Sequence, residues 1–284
     1  MTARPLGAGE LVLVATPIGN LGDLSPRAAS TLAAADIVCC EDTRHTGMML
    51  TRLGIKAQRL VSLHAGNEDQ RIPLILGELI AGRSVAVVSD AGMPAIADPG
   101  ERLVRAAAGA GVRVTAVPGP SAVPTAVALS GLRAAKWHFE GWIARKGRER
   151  TAQLAAIAAS SCPSVCFESP QRIVATLEGL SQSCGAERRV AVCRELTKLH
   201  EEVLRATAGE AATHFGATQP RGEFVIVVDG APAGERVVPD TAALALEVTA
   251  LMANGRSRRD AVDEVAARHA LPRRAVYEAA VPPS

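Results

Sequence analysis

Residues 11–26 read LVLVATPIGNLGDLSP. The apolar run Leu11–Pro17 predicts a buried β-strand. Ser25 and Pro26 then predict the start of a helix, since serine caps helices and proline suits the first helical position. A fully apolar strand that leads into a helix is typical of a parallel sheet with helices on both faces. This stretch therefore favours an α/β fold.

The same alternation continues along the chain. Further strands are predicted over Asp36–Asp42, Arg59–His64, Ser84–Asp90 and Val112–Pro118. Helices are predicted from Ser25 to about Ala35, from a capping box of Asn67 and Gln70 to about Gly82, and over about Glu101–Ala110. In the second half, strands are predicted over Trp137–Trp142, Ser164–Ser169, Arg189–Leu196, Glu202–Ala206 and Glu223–Asp229, with helices over about Arg150–Ser160 and Arg172–Ser183. This half predicts a second α/β unit with a mixed sheet.

The composition changes after residue 230, where Pro232, Gly234 and Pro239 predict a linker over residues 231–240. Three short helices are expected beyond it, over Thr241–Asn254, from Ser257 to about His269 and from Pro272 to about Ala280, as in a helix-turn-helix module. Its small core would consist of Leu244, Val248, Leu251, Val262, Val265, Leu271 and Val276. The predicted domains are residues 1–132, 133–230 and 241–284.

Composition excludes several classes of protein. The net charge is only +2, so any nucleic-acid contact depends on local basic clusters, and 2% aromatic residues argue against a binder built on many stacked bases. The six cysteines include no CxxC pair, which favours reduced thiols over disulfides or a metal site. Neither a signal peptide nor an apolar stretch long enough for a membrane span is evident, so we expect a cytoplasmic protein without membrane contact.

Charged and glycine-rich segments follow the strands of the first half. Glu41, Asp42, Arg44 and His45 come after the second strand, and Asp90 ends the fourth. Ligands bind outside the carboxyl ends of strands in open parallel sheets, so these residues predict a ligand site. A partial dinucleotide motif with Gly19 and Gly22 is interrupted by Pro17 and Asn20, and is weak evidence for a nicotinamide cofactor.

Several motifs together resemble those of the tetrapyrrole-methylase superfamily, and more narrowly of its ribosomal branch. They are ATPIGNLGD (Ala15–Asp23), EDTRHT (Glu41–Thr46), SDAGMPAIADPG (Ser89–Gly100), PGPSA (Pro118–Ala122), FESPQR (Phe167–Arg172), RELTKLHEE (Arg194–Glu202) and GEFVIVV (Gly222–Val228). The resemblance covers Leu11 to Asp229. It departs from the family at Met93, where threonine is usual, and at Gln171, where histidine is usual.

The resemblance implies the two-domain fold of class III methyltransferases, with S-adenosylmethionine bound between the domains. Cofactor-binding residues implied by the motifs are Pro17, Gly19, Asp90, Ala91, Gly92, Ile96, Ser121, Ala122, Phe167 and Gly222. Glycine at 92 would let the backbone approach a ligand, which agrees with this assignment. The implied reaction is 2′-O-methylation of a decoding-centre cytidine in 16S rRNA within the small ribosomal subunit, by a homodimeric enzyme.

A ribose hydroxyl is a poor acid, so a nearby base or cation should assist the reaction. The candidate catalytic residues are Glu41, Asp42, Arg44 and Lys198, with His45 and Glu195 as further candidates. Basic residues expected to contact RNA are Arg44, Arg145, Lys146, Arg148, Arg258, Arg259, Arg273 and Arg274. The first alternative is a tetrapyrrole C-methyltransferase of the same fold, which usually lacks EDTRHT and has no need for the Arg145–Arg148 cluster or the basic tail. The second is a non-catalytic RNA-binding protein that uses the tail alone.

Overall fold

The computed structural model describes residues 6–232, 241–253, 255–269 and 273–280. The chain divides between residues 231 and 232 into two compact units. Most of the predicted linker, at 233–240, and the predicted helix start at Pro272 lie outside the described residues. The predicted boundary at 132/133 falls inside the first unit and stays a prediction.

The first unit begins with a five-stranded sheet. Its strands are β1 (Glu10–Val14), β2 (Ile37–Cys40), β3 (Leu60–Ser62), β4 (Val85–Val87) and β5 (Arg113–Val117). They lie in the order β3-β2-β4-β1-β5, and every pair is parallel. Leu11 is opposite Val85 on one side and Val114 on the other. The predicted parallel sheet is confirmed. Strands β2 to β5 are shorter at both ends than predicted, and β1 begins one residue earlier and ends three residues earlier.

Helices cover both faces of this sheet. They are α1 (Pro26–Ala34), α2 (Thr43–Arg52), α3 (Glu68–Ile80) and α4 (Glu101–Gly109), with a 3₁₀ turn at Leu21–Asp23. Alternate strand residues point to opposite faces, so Val12 joins a core with α1 and α2, while Leu11 joins a core with α3 and α4. The predicted cap at Ser25 is confirmed, since its side chain accepts a hydrogen bond from the Ala28 amide.

Two local features differ from the sequence-based expectations. No helix was predicted at EDTRHT, yet Asp42 caps α2 and residues 43–46 form its first turn. Asn67 and Gln70 do not form a capping box, because the Asn67 side chain accepts from the His64 amide at 2.8 Å and makes no cap bond to α3. The Asn67 side chain instead closes the turn between β3 and α3, which removes it from helix capping.

A second five-stranded sheet follows. Its strands are β6 (His138–Trp142), β7 (Ser164–Glu168), β8 (Arg189–Arg194), β9 (Glu202–Thr207) and β10 (Phe224–Val228), in the order β6-β7-β10-β8-β9. The β6–β7 pair is parallel and the other pairs are antiparallel, which confirms the predicted mixed sheet. One face packs against α6 (Gly147–Ala159), α7 (Ile173–Cys184) and α8 (Ala208–Gly216).

The other face of the second sheet is covered by a helix from the first half of the chain. Helix α5 (Ala122–Ser130) follows β5, yet Val123 and Ala126 pack against Val165, Ala191 and residues of β10. The sequence analysis assigned no helix to this segment. Its position brings the start of α5 to the space between the two sheets.

The second unit contains α9 (Thr241–Ala253), α10 (Arg258–His269) and α11 (Arg273–Ala280). Ser257 accepts a hydrogen bond from the Asp260 amide and caps α10, as predicted. Of the predicted small core, Leu244, Val248, Val262, Val265 and Val276 are buried and Leu251 packs against them, whereas Leu271 lies outside the described residues. Within the described ranges, no helix has the length and apolar character needed to cross a membrane.

All six cysteines are free thiols. Cys39, Cys40, Cys166 and Cys193 are buried, and burial raises the pKa of the Cys39 thiol to about 12. These cysteines are therefore unreactive core residues.

Candidate active site

A cavity of about 270 Å³, called the first cavity here, lies between the two sheets of the first unit. From the first sheet it is lined by residues that follow β1, β2, β4 and β5 at their carboxyl ends. From the second sheet it is lined by Trp142, Phe167, Cys193 and residues 223–225. Seven of the ten predicted cofactor residues line it: Asp90, Ala91, Gly92, Ile96, Ser121, Ala122 and Phe167.

The loop after β4 is held against the loop after β1. Thr16 and Gly92 exchange two backbone hydrogen bonds, of 2.9 and 3.0 Å, and the Thr16 hydroxyl donates to the Ser89 carbonyl. Gly92 has a φ of 86°, and an added Cβ would lie 3.3 Å from Ile18. Ala95 and Ala97 also adopt positive φ values, of 66° and 61°. Such conformations are costly for residues other than glycine and concentrate at functional sites.

Three carboxylates are gathered at the first cavity. Burial, together with nearby Asp90, raises the pKa of Glu41, and burial next to Glu41 raises the pKa of Asp98 to about 6. The Asp90 Oδ1 atom is buried and has no hydrogen-bond partner among the described residues. The His45 imidazole lies beside it, with Nδ1 3.4 Å away, but does not meet hydrogen-bond geometry. An unpaired buried carboxylate oxygen is costly, so this atom suits a ligand that supplies a donor or positive charge.

The Ser121 side chain also faces this cavity. Ser121 occupies the N-cap position of α5, but its hydroxyl makes no capping hydrogen bond. The hydroxyl is therefore available to a bound molecule.

A second cavity, of about 320 Å³, adjoins the first. The two share Ile18, Asp90, Ala91 and Glu223. The rest of the second cavity is lined by Pro17, Gly19, Leu21, His45, Met48, Met49, Arg52 and Lys198. It thus carries the cationic side chains that the first cavity lacks.

Lys198 is held at the second cavity by two carboxylates. Its ammonium lies 2.8 Å from Glu195 and 2.9 Å from Glu223. Burial opposes the charge of Lys198, but these two hydrogen-bonded partners raise its pKa. Lys198 is therefore a fixed cation, able to stabilise negative charge but not to accept a proton.

Two glycines predicted to bind the cofactor instead make room for this ion pair. A Cβ at Gly19 would lie 2.3 Å from the Lys198 side chain, and one at Gly222 would lie 2.5 Å from the Glu195 side chain. Gly222 lines neither cavity, while Gly19 and Pro17 line the second rather than the first.

Asp42 and Arg44 lie outside both cavities. Asp42 accepts hydrogen bonds from the Arg44 and His45 amides and pairs with the Arg44 guanidinium at 3.0 Å. Hydrogen bonds from Arg44 lower the pKa of Asp42 to about 2, which makes it a weak base. The Arg44 side chain is 88% exposed, so it is accessible to a large partner.

The remaining predicted RNA contacts fall in two places. Arg145, Lys146 and Arg148 are exposed in the segment between β6 and α6 and at the start of α6. In the second unit, Arg258 and Arg259 are exposed. Arg273 pairs with Asp263 and Arg274 with Glu278, each at 2.8 Å.

Several lining residues were not predicted from the sequence. Met48, Met49 and Arg52 follow the predicted candidate His45 at three- and four-residue spacing, which would have placed all four on one face of α2 had that helix been recognised. Asp98 lay within the quoted Ser89–Gly100 motif but was not selected. Trp142 and Leu196 carry no local signal, because their place at the first cavity depends on how the two sheets meet.

Comparisons with known proteins agree with this geometry. A family model described as Tetrapyrrole (Corrin/Porphyrin) Methylases matches residues 10–212. The chain is 41% identical over 270 residues to ribosomal RNA small subunit methyltransferase I of Synechocystis, covering 95% of this chain and 96% of that protein. It is 44% identical over 265 residues to the protein of the same name from Mycobacterium tuberculosis, covering 93% and 91%.

Among solved structures, the fold is similar to that of uroporphyrin-III C-methyltransferase from Thermus thermophilus complexed with S-adenosylhomocysteine. The TM-score is 0.55 at 19% identity, covering 78% of this chain and 96% of that one. At this identity the likeness concerns the fold alone.

Proposed function

The chain belongs to the tetrapyrrole (corrin/porphyrin) methylase family, in the group of ribosomal RNA small subunit methyltransferases I, and from this premise we propose that it methylates the 2′-hydroxyl of a decoding-centre cytidine of 16S rRNA, cytidine 1402 in standard rRNA numbering. S-adenosylmethionine is the methyl donor and ribosomal RNA the substrate class. The tetrapyrrole C-methyltransferase alternative shares the fold, but the extensive sequence identity is to rRNA methyltransferases.

The observation that carries the proposal is the pair of adjoining cavities with a common wall. Ile18, Asp90, Ala91 and Glu223 border both. A donor bound in the first cavity and an acceptor bound in the second can therefore meet at that wall. Holding two reactants in line is the main requirement for a methyl transfer.

The first cavity fits the donor. Its carboxylates Glu41, Asp90 and Asp98 suit a cationic molecule, and the unpaired Asp90 oxygen lacks a partner that such a molecule can provide. Ile96 and Phe167 offer apolar surface for a flat ring. When bound, S-adenosylmethionine supplies a methyl group carried on a positively charged sulfur.

The second cavity fits a ribose and its phosphate. Arg52 and Lys198 provide positive charge suited to a polyanion, and His45 offers an imidazole for hydrogen bonding. As the ribose oxygen forms its bond to the methyl carbon, the carbon–sulfur bond breaks and the hydroxyl proton must leave. The fixed charge of Lys198 would stabilise the developing negative oxygen. We assign the proton to Glu41, which lines the first cavity and accepts a backbone hydrogen bond from Asp90 of the common wall; its raised pKa makes it a stronger base than Asp42.

Mass spectrometry tests the proposed reaction. Purified protein, S-adenosylmethionine and unmethylated small subunits should yield 2′-O-methylcytidine, located by digestion of the 16S rRNA. A methyl group on a base, or transfer to a tetrapyrrole precursor only, would contradict the proposal. Replacing the exposed Arg44 by alanine should lower turnover while leaving S-adenosylmethionine affinity unchanged. An equal loss of both would remove Arg44 from the RNA-contacting residues.

Three features stay predictions: the homodimer, the cytoplasmic location and the docking of RNA by the three-helix tail. The tail assignment is supported by Arg258 and Arg259, which form no ion pair with any residue that the structure describes. Free arginines suit phosphate, whereas Arg273 and Arg274 would first have to leave their carboxylate partners.

A further inference from the structure

Trp142, the last residue of β6, is 52% exposed. A tryptophan contributes most when buried, so a half-exposed indole is available to a partner. Its ring leans on Phe167, with ring centroids 5.4 Å apart, and it borders the first cavity. It also lines a separate open groove of about 450 Å³, called the Trp142 groove here, whose other lining residues include Arg145, Ser169 and Arg172.

Arg145 brings a cation to the Trp142 groove, and Lys146 and Arg148 follow it closely in the chain. Arg145, Lys146 and Arg148 are exposed and form no hydrogen bond or ion pair within the described ranges. Nearby arginines behave differently: Arg150 donates to the Thr176 hydroxyl, and Arg172 pairs with the buried Glu168. Arg150 and Arg172 therefore have structural partners, whereas the three unpaired cations do not. The N-terminus of α6 adds its partial positive charge to theirs, offset in part by Glu149 in the first turn.

We propose that the Trp142 groove holds the single-stranded RNA next to the target nucleotide, with one base stacked on the Trp142 indole and its phosphates bound by Arg145, Lys146 and Arg148. This inference rests on the proposed function, since it takes RNA as the substrate. An exposed aromatic ring beside unpaired cations matches the two requirements of single-strand binding, which are a stacking surface and phosphate neutralisation. Double-stranded RNA offers no splayed base to such a ring.

The position of Trp142 indicates which part of the RNA strand the groove would hold. Because Trp142 borders both the first cavity, proposed to hold the methyl donor, and the groove, RNA bound in the groove lies within one side chain of the donor site. The base on Trp142 is therefore a close neighbour of the methylated nucleotide.

Trp142→Ala and Trp142→Phe test the stacking role, with Trp137→Ala as the matched control. Trp137 is 37% exposed just before β6 and lines neither cavity nor the groove. Binding of a fluorescein-labelled single-stranded RNA decamer is measured by anisotropy, and binding of S-adenosylmethionine by calorimetry. Trp142→Ala should weaken RNA binding about 5- to 100-fold, the usual range for one lost stack. Trp142→Phe should keep most of the affinity, and Trp137→Ala should keep all of it.

A second measurement reports the contact directly. The chain has two tryptophans, so in a Trp137→Phe protein all indole fluorescence comes from Trp142. RNA should quench this fluorescence. S-adenosylmethionine affinity should be unchanged in Trp137→Ala and should fall by less than RNA affinity in Trp142→Ala, whose indole also borders the first cavity.

Unchanged RNA affinity in Trp142→Ala would overturn the proposal, as would an equal loss of S-adenosylmethionine affinity, which would make Trp142 part of the donor site. If the wild-type protein methylates 16S rRNA while Trp142→Ala binds the decamer normally, only the groove assignment fails. If the wild-type protein transfers no methyl group to rRNA, the proposed function fails, and this inference with it.

Discussion

Replacing Gly19 by alanine should disable the enzyme through Lys198. The added Cβ would lie 2.3 Å from Lys198 Cγ, 2.9 Å from its Cε and 3.1 Å from the Leu196 carbonyl oxygen. Gly19 does not have a left-handed φ, so alanine meets no backbone strain there. The effect of the substitution is therefore confined to the lysine and its surroundings.

The expected magnitude follows from these distances. Carbon atoms in ordinary contact are about 3.5–4.0 Å apart, so the Lys198 stem must move by more than about 1 Å. The ammonium now sits 2.8 Å from Glu195 and 2.9 Å from Glu223, and neither contact survives such a shift. Displacement of a reacting-site group by about 1 Å typically costs on the order of 10²-fold in rate.

Single-turnover methyl transfer with saturating S-adenosylmethionine measures the effect. Gly19→Ala, Lys198→Ala and the double variant form a cycle in which the double variant should be no slower than Lys198→Ala. Gly22→Ala in the same loop is the control, because its Cβ would come no closer than 3.2 Å, to the Asn20 side chain. A wild-type rate for Gly19→Ala, or losses that multiply in the double variant, would refute the reasoning.

Three further predictions follow from the site and the tail. Gly92→Ala and Gly82→Ala should each lower the free energy of unfolding by about 1–2 kcal/mol, measured by thermal unfolding, because both glycines have left-handed φ values. Calorimetry should find weaker S-adenosylmethionine binding only for Gly92→Ala. Equal affinity in the two variants would show that residue 92 is not part of the donor site. Truncation after Asp229 should leave S-adenosylmethionine binding intact and weaken binding to the small subunit. The slope of log affinity against log salt concentration should fall in magnitude by about 0.7–0.9 per lost phosphate contact. Identical affinities of the truncated and full-length proteins across a salt series would exclude docking by the tail. Burial, and then nearby Glu41, raise the pKa of Asp98 in the folded protein to about 6. The neutral carboxyl therefore contributes to stability below about pH 4, and this contribution is lost as pH rises through about 6. Affinity for the cationic donor should rise over that window as the carboxylate ionises, and a pH dependence that persists in Asp98→Asn would rule this group out.

Much of the fold follows from short-range patterns in the sequence. The strands are continuous apolar runs such as Leu11–Val14, and Ser25 and Ser257 mark helix starts through hydrogen bonds that are local in sequence. Helix α2 was missed because its residues are mostly polar and only Thr46 and Leu50 are buried. A helix with so narrow an apolar face gives little periodic signal.

The site was predictable to a lesser degree. Residues that end the strands of one sheet converge by topology, which is why Asp90 and Ser121 could be placed together. The contacts of Gly19 and Gly222 could not be predicted for the opposite reason: both lie against the segment after β8, which no local pattern connects to them. Predicting the room they make for Lys198 and Glu195 requires knowing how distant loops meet.

The packing of α5 has a consequence for how the first unit unfolds and moves. Because Val123 and Ala126 are buried against the second sheet, a fragment that ended at residue 132 would leave an apolar helix face in water. The two sheets should therefore melt in one cooperative transition rather than separately. The same helix begins beside Ser121, at the first cavity, so any rocking of the second sheet would carry this wall of the cavity with it. Opening of the cavity for ligand exchange and its closing around a ligand would then be the same motion in opposite directions, transmitted through α5.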